Sequence, residues 1–71
     1  MTEVYRFQVE GRLSADLLTT FQPLQSTDRA GSTVFWCAFV DRAQLFGAIA
    51  RCELLGLALV SLTRTGFDAI R

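Results

Sequence analysis

The run from Val40 to Thr63, VDRAQLFGAIARCELLGLALVSLT, leaves a chain like this few ways to fold. It reads as a capped amphipathic helix, a glycine stop and a buried strand, with no spare linker between them. Asp41 can cap the helix by accepting from free backbone N–H groups of the first turn. Gln44, three residues on, completes a capping box, and Val40 with Leu45 occupies the positions of a hydrophobic staple. Leu45, Ala48, Ile49, Cys52 and Leu55 recur at helical spacing and form an inward stripe. Gly56 supplies the left-handed stop, and Leu57 to Leu62 is the last strand.

The rest of the chain supplies a matching half. Residues 4–10 alternate, with Tyr5, Phe7 and Val9 on one side and Arg6, Gln8 and Glu10 on the other, the pattern of a half-buried strand. Ser14 can cap a first helix, with Leu13 and Leu18 at staple positions. Pro23 ends that helix. Gln22 to Asp28 is a weak strand whose proline suits a sheet edge, and Asp28 to Gly31 is a turn. Thr33 to Val40 is apolar on both faces, as expected of a central strand. The order is βαββαβ, the split βαβ plan. The fold class expected is therefore α+β, a ferredoxin-like two-layer sandwich with a four-stranded antiparallel sheet. Residues 1–71 make one domain, of which 63–71 is a polar C-terminal tail that Phe67 and Ile70 could dock.

Composition narrows the chemistry. The chain has 71 residues, half of them apolar, and its seven basic residues, all arginine, balance seven acids. It has no histidine and no lysine, which removes imidazole acid–base catalysis and Schiff-base chemistry. Its two cysteines, Cys37 and Cys52, lie on different elements, and no C-x-x-C metal or redox pair exists. No catalytic, cofactor-binding or metal-binding residue is assigned, and the chain is read as a non-enzyme. No basic face for nucleic acid is present. Phe35 and Phe39 are four residues apart with no basic neighbour in the strand, unlike the aromatics of RNA-binding sheets. No apolar stretch reaches the ~18 residues needed to span a bilayer, and no signal peptide opens the chain. A cytoplasmic location is expected, where free thiols persist. So short a chain is marginal alone, which makes self-association the expected source of further stability.

Staple parity assigns the faces of the sheet. Leu13 shares parity with Tyr5, Phe7 and Val9, so these should face the helices; Val40 shares parity with Val34, Trp36 and Ala38, so these should too. That leaves Phe35, Cys37 and Phe39 on the open face beside Val4, Arg6 and Gln8. A bulge near Gly11 would reverse the assignment. Two phenylalanines on an open sheet face mark an interaction site. The interface expected is Phe35, Cys37 and Phe39, with Val4 and Arg6 at its margin, unless the C-terminal tail folds back over it.

Two resemblances accompany this reading. Asp41, Ala43, Leu45, Gly47, Ile49, Leu55, Gly56, Leu57, Leu59, Val60 and Ser61 resemble the shared stretch of a family of small, largely uncharacterised bacterial proteins common in actinobacteria. That resemblance implies the fold and a bacterial origin. Asp41-Arg42-Ala43-Gln44-Leu45 is also similar to the helix-opening step of ACT domains, regulatory βαββαβ modules that bind amino acids and often pair. The function expected is a non-catalytic association module, a homodimer or one bound to a cytosolic partner. The alternative is an ACT-like small-ligand sensor.

Overall fold

The structure, a computed structural model, describes residues 2–66. It is α+β, in the order β1 (Glu3–Glu10), α1 (Ala15–Phe21), β2 (Gln25–Arg29), β3 (Ser32–Phe39), α2 (Arg42–Leu54) and β4 (Leu59–Thr65). The strands form one antiparallel sheet in the order β2-β3-β1-β4. The apolar strands β1 and β3 are central, and the polar β2, preceded by Pro23, lies at an edge. No described helix is long and apolar enough to cross a membrane.

Local chemistry explains the element ends. Ser14 Oγ accepts from Leu17 N at 3.2 Å and caps α1. Gln22 closes that helix in the left-handed region, and Pro23 follows. The β2–β3 hairpin turns on Ala30 and Gly31, both at positive φ, the two-residue geometry that matches the twist of the strands. The turn centre lies one residue later than the Asp28-led turn expected. At the end of α2, Leu57 N donates to Cys52 O and Gly56 N to Glu53 O, with Gly56 at φ 72°. That pair of bonds is the Schellman stop, which satisfies two orphan carbonyls.

The core lies between the helices and one face of the sheet. Phe7, Val9, Phe35 and Cys37 from the sheet meet Phe21 of α1 and Leu45, Ala48 and Cys52 of α2. Phe7 and Phe35 sit opposite each other in the β1–β3 register and stack with centroids 5.0 Å apart. Phe21 reaches Phe35 at 5.1 Å, and Phe39 meets Phe7 edge-on at 6.1 Å.

This packing corrects the face assignment of β3. Phe35, Cys37 and Phe39 face the helices, and Val34, Trp36 and Ala38 lie on the opposite side, across from Gln8, Arg6 and Val4. The cause is at Val40. It lies outside β3, in a bend, and is 57% exposed, so the alternation of the strand does not carry through to the helix. Its N–H donates to Gln44 Oε1 at 2.8 Å while Gln44 N donates to Asp41 Oδ1 at 2.9 Å. The capping is present, but its side chain reaches back one residue further than in a capping box, and the staple is missing. Two smaller corrections follow. Leu55 lies beyond the helix and is exposed. Residues 63–65, expected in a polar tail, continue β4, paired with β1. Phe67 and Ile70 lie outside the described residues.

Candidate interaction surface

Of the five residues expected at an interface, three are interior. Phe35 and Cys37 are buried, and Phe39 is half-buried against the same core. Val4 and Arg6 do lie on the sheet face away from the helices. That face offers little exposed apolar surface: Val4 and Val34 are buried, Arg6, Trp36 and Ala38 half-buried. Trp36 Nε1 is buried there with no hydrogen-bond partner among the described residues.

Of the large exposed apolar side chains, Leu24, Val40, Leu55 and Val60 are scattered over the chain, and two share one helix. Phe46 is 58% exposed and Leu54 87% exposed, both on α2. With Ala43, Gly47 and Ala50, all exposed, they follow one another at spacings of three, one, three and four. At 3.6 residues per turn these positions fall on one side of the helix, opposite the buried stripe of Leu45, Ala48 and Cys52. A helix apolar on both sides is normally covered on both. The inward stripe is legible from its spacing, and the outward one recurs at the same helical period on the other side.

The clefts offer less chemistry. One, of about 370 Å³, lies between the end of α1, the end of β3 and α2, and includes Phe39, Gln44, Gly47 and Arg51. Arg51 Nη1 donates to Thr20 O at 2.9 Å across it, tying α2 to α1. A second, of about 270 Å³, lies beside Tyr5, Phe39, Asp41 and Arg42. At its rim Glu3 accepts from Arg64 at 2.8 Å and from Tyr5 at 3.4 Å. Among the described residues no three potential metal ligands converge.

The cysteines are buried members of the core rather than reactive groups. Burial, with Cys52 close by, pushes the Cys37 thiol up to about 12, and burial raises that of Cys52 as well. Thiols held protonated and out of water are poor nucleophiles. Cys37 Sγ instead lies 3.5 Å from Phe21 O, at the end of α1.

Residues 4–63 match a family described as a domain of unknown function (DUF8691). The chain belongs to that family. No curated protein matches it, and no solved structure does. The family's shared domain thus takes in every element except the last residues of β4 and the first of β1.

Proposed function

We propose that this member of the family is a non-catalytic association module, ferredoxin-like in fold and of bacterial origin, that acts in the cytoplasm as a homodimer. The strand order β2-β3-β1-β4, with every neighbour antiparallel and both helices packing on one face, supports the ferredoxin-like reading. The observation that carries association is the exposed apolar side of α2, with Phe46 and Leu54 turned to solvent. In a domain this small, covering such a stripe adds apolar burial that one core cannot supply.

The test is light scattering over a concentration series. The expected result is a mass that rises reversibly from one chain to two. A mass that stays monomeric throughout sinks self-association and turns the search to a foreign cytosolic partner. A second reading, an ACT-like small-ligand sensor, is favoured only by the cleft of about 370 Å³ between the helices and β3. It requires a ligand-dependent rise in melting temperature when free amino acids are screened.

A further inference from the structure

We infer that α2 pairs antiparallel with α2 of a second copy, across a two-fold axis beside Gly47. The inference rests on the homodimer reading and assigns its surface and register. Three features of α2 converge on it.

The first is the outward stripe itself, Ala43, Phe46, Gly47, Ala50 and Leu54. Gly47 and Ala50 leave the stretch between Phe46 and Leu54 without bulk, which lets two such helices approach closely there. The second is Gly47. Mid-helix glycine costs about 1 kcal/mol relative to alanine. Nothing among the described residues requires it, because a Cβ built at Gly47 would meet none of their atoms within 4 Å. A close neighbour from outside the chain accounts for it.

The third is charge. Arg42 occupies the first position of α2 and Glu53 its last turn. Both oppose the helix dipole, which favours acids at the start and bases at the end. Neither forms an ion pair among the described residues. Eleven residues is close to three full turns, so Arg42 and Glu53 share one flank of the stripe. An antiparallel pair about Gly47 sets Arg42 of each copy opposite Glu53 of the other. On the second flank, Gln44 and Arg51 lie two turns apart and come opposite in the same register. Parallel pairing would instead set opposite flanks together, with Arg42 beside Gln44 and Glu53 beside Arg51, side chains already bonded to Val40 N and Thr20 O within the chain. The complementarity is therefore that of a helix for its own reversed copy, the self-matching patch that two-fold symmetry requires.

Charge reversal tests this in the whole chain. Arg42→Glu and Glu53→Arg each put the charge where the helix dipole favours it, so neither loosens the monomer. Each single variant is expected to weaken dimerisation about tenfold, because both symmetric pairs become repulsive. The double variant should return to within about threefold of the original. Mixing the two single variants should give mostly mixed dimers, read by native mass spectrometry, since only that combination restores both pairs. Gly47→Glu, a better helix former in open space, should abolish the dimer while leaving the circular dichroism unchanged. If the native chain dimerises but these variants dimerise equally well, the surface lies elsewhere and this inference falls, while the homodimer reading stands. If the native chain is monomeric at every concentration, both fall.

Discussion

The connection from β1 to α1 carries an apolar side chain inward at Leu13, half-buried against the core; that from β3 to α2 turns Val40 out to solvent. The first is anchored from the strand. Thr33, fully buried on β3, accepts from Leu13 N at 3.1 Å and donates to Gly11 O at 2.8 Å. The second is anchored from the helix, through Asp41 and Gln44. A connection held by a buried hydroxyl keeps the chain against the sheet. One held by exposed cap residues only has to start the helix, and the side chain before the cap is free to point away. The faces of a strand therefore follow from its pairing, not from the loop that leaves it.

The largest effect is expected from Phe35→Asp. With Phe35 stacked on Phe7 beneath the helices, a carboxylate there removes aromatic packing and buries an unpaired charge. A cost above about 4 kcal/mol is expected, enough to unfold a domain whose total stability lies near the low end of about 5–15 kcal/mol. Circular dichroism should show the helices lost. A folded variant with only its association altered would restore Phe35 to an open face.

How much was legible turns on the same two connections. Every element was readable, because capping residues, glycine stops and alternation act locally. The central place of β1 and β3 was readable too, since β3 is apolar on both sides and a proline precedes β2. The facing of β1 was readable from Leu13, which the structure keeps inward. The facing of β3 was not, because the staple spacing of Val40 and Leu45 carries the strand's parity through a residue that lies outside it. A better signal was available: β1 and β3 are neighbours, and the bulkier apolar set of each, Tyr5 with Phe7 and Phe35 with Phe39, belongs in one core. The interface residues inherited the error. The outward stripe of α2, with Phe46 and Leu54, recurs at the same helical period as the inward one and competes with it for the core side of the helix.

On the β1–α1 side, Thr33→Val removes the buried hydroxyl that holds the connection. The substitution keeps the shape and β-branching of the residue but leaves Leu13 N and Gly11 O without their partner. Both hydrogen bonds are partly buried, so a loss of about 2 kcal/mol is expected in urea unfolding. Thr33→Ser, which keeps the hydroxyl and loses a methyl, should cost less. Equal losses would mean that the methyl group matters and the hydroxyl bridge does not.

On the β3–α2 side the expected effects are smaller and unequal between adjacent residues. Asp41→Ala removes the acceptor for Gln44 N and a negative charge from the helix start, which typically costs about 1 kcal/mol. Val40→Ser changes a side chain that is mostly in water and leaves its backbone N–H free to bond Gln44, so its effect should stay within about 0.5 kcal/mol. Were Val40 the staple that its spacing from Leu45 implies, the order would reverse, with Val40→Ser costing as much as the cap or more. Measuring the two variants side by side by chemical denaturation therefore decides whether this connection is held by its polar cap or by apolar packing, and with it which residues of β3 the helices cover.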